Sequence, residues 1–198
     1  MRILIIGAHG TLGQAITREL AAHELVTAGR SSGDLRVDIK HEGSVASMYR
    51  EAGPLDAVVV AAGGGVMVPL TEFTVEQYRT SFNDKLLGQV NVVLAGQQVL
   101  NEGGSFTLTS GILSHEPIPY GSAMTMSSAA IDAFAVAAAI ELPRGLRINV
   151  VSPGMLVESV PVYGDYLRGF EPVPAARAAL AYRRSVEGRD TGRVYRVY

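Results

Sequence analysis

The chain has 198 residues, a formal net charge of −2, 47% hydrophobic and 18% charged residues, and no cysteine. That profile suits one domain over residues 1–198 with a sizeable core, and it excludes a disordered chain. It leaves no basic footprint for nucleic acid, no disulfide and no thiolate nucleophile, and the four histidines, His9, His23, His41 and His115, show no metal-ligand spacing, so no metal is expected.

Ile3 to Ile6 form an apolar run suited to a strand buried on both faces, and the run breaks into Gly7-Ala8-His9-Gly10-Thr11-Leu12-Gly13. Glycines there let the chain fold back tightly, let a diphosphate approach the backbone and let the next helix pack close to the strand. A helix beginning at that point aims free N–H groups and the positive end of its dipole at an anion. Ala15, Ile16 and Leu20 share one face of that helix.

Glu24 to Ala28 reads as the second strand, ending at Gly29-Arg30-Ser31-Ser32, and a very short connection leads to the third, Leu35 to Ile39. Asp56 to Ala62 is an apolar strand that ends in Gly63-Gly64-Gly65. A long helix is predicted over Val75 to Leu100, weakened at Asn83, Gly88 and Gly96. Ser105 to Thr109 is the next strand, followed by a loop holding Pro117 and Pro119. An alanine-rich helix runs from about Ala123 to Leu142, and its small residues permit close packing inside the molecule or against a second subunit. Arg147 to Val151 is a strand stopped by Ser152-Pro153-Gly154. A loop with Pro161, Pro172 and Pro174 precedes a final helix, Ala175 to Val186, and a terminal strand from Arg193. This alternation implies an α/β fold, a parallel sheet with helices on both faces. The N-terminal apolar run is too short for a signal peptide, and Ala133 to Ile140 is about half the ~20 residues a membrane span needs. A cytoplasmic protein with no membrane partner is expected.

Taken in order, several pieces resemble the short-chain dehydrogenase/reductase family at its small end. They are Gly7-x-x-Gly10-x-x-Gly13, Val60-Ala61-Ala62-Gly63 in place of the family's Asn-Asn-Ala-Gly, Leu108-Thr109-Ser110, Arg147 to Gly154, and Thr191-Gly192-Arg193-Val194. The first glycine pattern is closer to the extended and atypical branches of the family. The resemblance implies a Rossmann-type doubly wound parallel sheet in three α/β/α layers, with NADP or NAD in an extended pose. Gly7, His9, Gly10, Thr11, Leu12 and Gly13 would then hold the diphosphate. Asp38 and Ile39 would lie near the adenine, and Ala61, Ala62 and Gly63 along the adenosine ribose, and Thr109 is a further cofactor-binding candidate. Pro153, Gly154, Met155 and Leu156 would lie against the nicotinamide. The short link between strands two and three implies that a helix usual there is missing.

NAD-specific folds place Asp or Glu about 20 residues beyond the glycines to bind the ribose 2′-hydroxyl. Here that place reads Gly29-Arg30-Ser31-Ser32, with no acid until Asp34. A guanidinium binds a 2′-phosphate that a carboxylate would repel, so Arg30, Ser31 and Ser32 point to NADP(H) before NAD(H).

The family's proton-transferring pair, tyrosine and a lysine four residues later, does not occur in this sequence. Anchoring on Ala129-Ala130, Phe134 and Glu141-Leu142 puts Met124 and Ser128 at those places, and neither Lys40 nor Lys85, the only lysines, follows a tyrosine at that spacing. Methionine has no proton to give and serine no charge. The remaining catalytic candidates are Ser110, either the family serine or a strand-end turn residue, and Lys85, either a cleft group at the place of an active-site asparagine or a solvated helix lysine. Asn83 and Asn91 are alternatives for the polar role. Tyr120 could swing into the cleft, His115 is a loop histidine or a functional one, and Tyr163 and Tyr166 fall in a substrate-covering loop. Two functions follow: an NADP(H)-dependent oxidoreductase of a small organic substrate with a rearranged acid-base site, or an NADP(H)-binding sensor or scaffold without turnover. The long helices imply a homo-dimer or homo-tetramer by resemblance.

Overall fold

The computed structural model describes residues 1–198. Seven strands form one parallel sheet: β1 (Arg2–Ile6), β2 (Glu24–Gly29), β3 (Leu35–Arg36), β4 (Leu55–Val60), β5 (Leu100–Thr109), β6 (Arg147–Pro153) and β7 (Val194–Val197). Their order across the sheet is β3-β2-β1-β4-β5-β6-β7, with every neighbouring pair parallel. Helices α1 (Thr11–Glu19), α2 (Glu42–Ala52), α3 (Val75–Ser81), α4 (Gly88–Gly96), α5 (Ser122–Ala138), α6 (Val160–Tyr163) and α7 (Ala175–Glu187) connect them.

The alternation of side chains along β1 shows how the layers arise. Leu4 and Ile6 join one core, with Val45, Met48 and Tyr49 of α2, Val92 of α4 and Ile131 of α5. Ile3 and Ile5 point the other way, into a second core with Ile16 of α1 and Ala179, Tyr182 and Val186 of α7. All four β1 side chains are at most 1% exposed, each contributing about 1.5–3 kcal/mol of hydrophobic stabilisation. A strand covered on both faces must be apolar throughout, so the doubly wound Rossmann-type fold follows from that run.

Several boundaries differ from the sequence reading. Helix α2 was unassigned, although Val45, Met48, Tyr49 and Ala52 repeat at helical spacing and are all buried. No helix joins β2 to β3, as the short link implies. The expected helix from Val75 to Leu100 is three pieces: α3, a π-helical segment over Phe82–Leu87, and α4, which ends at Gly96. Thr74 starts α3 with a capping box, accepting the Gln77 N–H while Gln77 accepts from the Thr74 N–H. Leu100 belongs to β5, where it pairs with Leu55. The alanine-rich helix stops at Ala138, short of Leu142.

Candidate functional site

The strand order reverses between β2-β1 and β4-β5, and at such a point the connections leave on opposite sides and open a crevice at the carboxyl ends. A groove of about 400 Å³ lies there, lined by Gly7, His9, Gly10, Arg30, Ser31, Ser32, Asp38, Ile39, Ala61, Ala62 and Gly63 among others. Gly7 has φ +85°, and a Cβ on it would strike the Ala61 carbonyl, so only glycine makes this turn. Helix α1 then starts at Gly10 without a side-chain cap, leaving its first N–H groups free to face an anion.

Three residues expected at the diphosphate do not line the groove. Thr11 is exposed at the helix start, Leu12 packs toward the core beneath α1, and Gly13 is buried against the Gly7 carbonyl. Asp34 is engaged elsewhere: its Oδ2 accepts from the Thr27 N–H at 2.9 Å and the Thr27 hydroxyl at 2.8 Å. The backbone bond, then the hydroxyl bond, hold its pKa below the ordinary carboxylate value. Asp34 does not line the groove, whereas Arg30 does. Asp38 lines it and is paired loosely with Lys40 at 3.6 Å and His41 at 3.8 Å.

A second cavity of about 570 Å³ continues from the first, with Gly63 and Gly64 lining both. Pro153, Gly154, Met155 and Leu156 form one wall, Tyr163 and Tyr166 another, and Met67, Ile112, Ile118 and Met124 add apolar surface. Lys85 is its only charged lining residue, and Ser110 lies beside it.

Lys85 is buried and not a solvated helix lysine. It sits on the π-helical segment, an irregularity that recurs at functional sites. Gly63, at φ +109°, admits it, since a Cβ there would stand 2.9 Å from the Lys85 Cα. Gln89 secures the segment from the other side. Its amide donates to the Lys85 carbonyl at 3.2 Å and the Thr109 carbonyl at 2.9 Å, and its Oε1 accepts the Thr109 N–H at 2.9 Å. The Lys85 ammonium donates to the Ser110 carbonyl at 3.1 Å. Burial pushes its pKa down to about 8, with Asp132 and then Asp84 pulling the other way. The Ser110 hydroxyl is buried with no hydrogen-bond partner.

Other expected residues fall outside the cleft. Thr109 lines neither cavity, because strand alternation turns it to the opposite side from Ser110. Its hydroxyl bonds the Val60 carbonyl at 2.5 Å and the Tyr182 hydroxyl at 2.6 Å. Tyr120 does not line the cavity either. It is 44% exposed and meets Tyr166 edge-on with ring centroids 6.1 Å apart, so Tyr166 stands between it and the space. Asn91 is committed to the Ile39 carbonyl at 2.9 Å. Met124 lines the cavity, while Ser128 is buried behind Gly111. The sequence reading missed Asp84, which lines the groove and accepts the Gly64 N–H at 3.2 Å, and Asp132, whose Oδ2 lies 3.8 Å from His115 Nε2. A charged residue two helical turns beyond Met124, which lines the cavity, was the available signal for Asp132.

Comparison with known proteins gives a consistent picture. Residues 7–195 match the family model described as enoyl-(acyl carrier protein) reductase. A crystal structure of a protein from Listeria innocua superposes with a TM-score of 0.99 at 49% identity, covering 100% of both chains. A small-chain dehydrogenase crystallised with NADPH gives a TM-score of 0.87 at 26% identity, covering 100% of this chain and 96% of that one. Among curated proteins, a short-chain dehydrogenase/reductase of Stachybotrys chlorohalonatus is 35% identical over 129 residues, 64% of this chain and 50% of its own length. The chain thus spans about half the length of the first curated relatives it matches.

Proposed function

The chain belongs to the short-chain dehydrogenase/reductase family, and from that premise we propose that it is an NADP(H)-dependent oxidoreductase acting on a small, largely apolar organic substrate. The observation that carries this reading is the position of Lys85, a buried amine in an apolar cavity that opens into the glycine-lined groove at Gly63 and Gly64.

The residues present fit such a cofactor. Gly7 and Gly10 leave room for a diphosphate beside the free N–H groups of α1, and Arg30, Ser31 and Ser32 offer donors for a 2′-phosphate with no competing carboxylate among them. The NADPH complex of the related dehydrogenase supports the same preference. Pro153 to Leu156 wall the second cavity. When bound, the cofactor supplies or accepts a hydride.

The protein's own groups do the rest. The Ser110 hydroxyl, unpartnered within the protein, is free to bond a substrate oxygen. The Lys85 ammonium gives its proton to that oxygen as a C–H bond forms at the adjoining carbon, which leaves neutral lysine and a hydroxyl product. Oxidation runs the same transfer backwards. General acid-base help of this kind is worth about 10²–10⁴-fold. The methionines, leucines and tyrosines of the walls exclude water, which strengthens the polar contacts inside. Tyr120 stays outside this scheme unless its loop moves.

A sensor or scaffold that binds NADP(H) without turnover is the second reading, favoured by Met124 at the cavity wall, since a thioether transfers no proton. Titration with NADPH and NADH, followed by oxidation of bound NADPH with aldehydes, ketones, enones, quinones and imines, separates the two. Tighter NADPH binding with turnover on one acceptor class is expected. Binding without oxidation by any class favours the sensor, and a preference for NADH overturns the cofactor assignment. Exposed Leu87, Leu94, Met126, Val136 and Ile140 on and beside α4 and α5 support a homo-dimer or homo-tetramer. No helix is long and apolar enough to cross a membrane.

A further inference from the structure

Lys85 Nζ is held at the wall of the second cavity by one hydrogen bond, to the Ser110 carbonyl at 3.1 Å. Lys40, the other lysine, has a side chain 34% exposed and pairs with Asp38 at 3.6 Å; Lys85 has no such ion pair. The cavity that Lys85 lines is about 570 Å³, walled by Ile112, Ile118, Met124, Met155 and Leu156, and roomy enough for a ring-sized molecule. Ser110 lines the same space, and its hydroxyl has no partner in the protein. Burial disfavours the ammonium, against the pull of Asp132 and then Asp84, so a large share of the amine is neutral near pH 8. A neutral amine in an apolar, water-poor pocket is a nucleophile toward a carbonyl carbon.

We propose that Lys85 captures small apolar aldehydes covalently, as a Schiff base formed inside the second cavity. The amine lone pair adds to the carbonyl carbon, and the carbonyl oxygen takes a proton to give a carbinolamine. Both hydrogens of the neutral amine finally leave with that oxygen as water, and a carbon–nitrogen double bond remains. Nothing is oxidised or reduced, so no co-reactant is needed. The Ser110 hydroxyl is the group beside the amine that can hand a proton to the oxygen and recover one. The apolar walls hold the hydrocarbon part and, by excluding water, favour the imine over its hydrolysis. An aldehyde carries one substituent at the reacting carbon where a ketone carries two, which suits an amine on a residue only 6% exposed. Capture needs neither cofactor nor hydride transfer, so it goes beyond the oxidoreductase reading and does not depend on it.

The test uses the full chain without cofactor, incubated at neutral pH with benzaldehyde and sodium cyanoborohydride, which reduces an imine to a stable benzylamine. Peptide mass mapping then reads Lys85, Lys40 and the α-amine of Met1 separately. Lys85 should gain the benzyl group at least about tenfold faster than Lys40, because more of its amine is neutral. Excess benzyl alcohol, which fills the same space without a carbonyl, should slow labelling at Lys85 and leave Lys40 unchanged. Labelling at Lys85 no faster than at Lys40, or indifferent to benzyl alcohol, overturns the proposal. No NADPH is present, so either result leaves the oxidoreductase reading to its own titration and turnover measurements.

Discussion

Lys85 Nζ donates a hydrogen bond to the Ser110 carbonyl at 3.1 Å, joining the π-helical segment to the end of β5 inside the cavity. The bond fixes the amine beside a buried cleft hydroxyl that has no protein partner. Replacing either residue therefore tests chemistry more than folding. Lys85→Met should lower kcat by about 10²–10⁴-fold while NADPH affinity changes by less than about threefold. Ser110→Ala should lower kcat by about 10-fold to 100-fold and leave stability unchanged or slightly raised, since it removes a buried unpaired hydroxyl. Steady-state kinetics with parallel denaturant melts checks both.

Arg30 is exposed at the groove edge, where the sequence offers no carboxylate before Asp34, and Asp34 is bound to Thr27. Charge-assisted hydrogen bonds are worth about 1.5–3 kcal/mol, so Arg30→Ala should weaken NADPH binding by about 10-fold to 150-fold. NADH binding should barely change. Fluorescence titration with each cofactor reads the ratio directly, and an equal loss for both would remove the 2′-phosphate role.

The buried lysine also makes stability depend on pH. Its folded pKa of about 8 lies below the ordinary value of 10.5, so between those values the unfolded chain holds the proton more tightly. Stability through this group therefore rises as pH climbs from about 8 to 10.5. The penalty, roughly 3 kcal/mol, is present in full at pH 7 and relieved above that window. Lys85→Met should be more stable than the unaltered protein at neutral pH, with the gap narrowing in alkaline buffer. Urea unfolding across that range measures it.

Gln89 bonds three backbone groups at once, the Lys85 carbonyl and both polar groups of Thr109. Gln89→Leu should cost about 2–4 kcal/mol, because it leaves those groups without partners in a buried place. It should also lower kcat by loosening the segment that carries Lys85. Thermal melts and kinetics together distinguish that from Gln89→Glu, which keeps the acceptor.

Much of this arrangement is legible in the chain because burial on both faces leaves a simple trace. Ile3 to Ile6 and Ala57 to Val60 read as strands without alternation, and the glycines after them mark the crevice. Arg30, Ser31 and Ser32 follow from position alone. Helix α2 was readable from Val45, Met48, Tyr49 and Ala52, yet its polar outer face and the His41-Glu42-Gly43 at its start obscured it.

The π-helical segment was not legible, since residues 82–87 satisfy an ordinary helical pattern. What shapes it lies far away in sequence: the close approach of Gly63 to Lys85 and the reach of Gln89 to Thr109. The burial of Lys85 and the isolation of Asp132 arise from the same tertiary packing. Thr109 lines neither cavity, because neighbouring positions along a strand face opposite sides. Tyr120 adopts φ +66° in its loop, a conformation that a bulky residue seldom takes and no sequence rule assigns.

The most direct measurement of the central claim is single-turnover oxidation of bound NADPH as a function of pH, comparing the unaltered protein with Lys85→Met on the best acceptor found. If Lys85 is the acid, the rate in the unaltered protein should fall as pH rises through about 8, and the variant should be at least about a hundredfold slower with no such inflection. Equal rates in the two proteins, with the same pH dependence, would contradict the account.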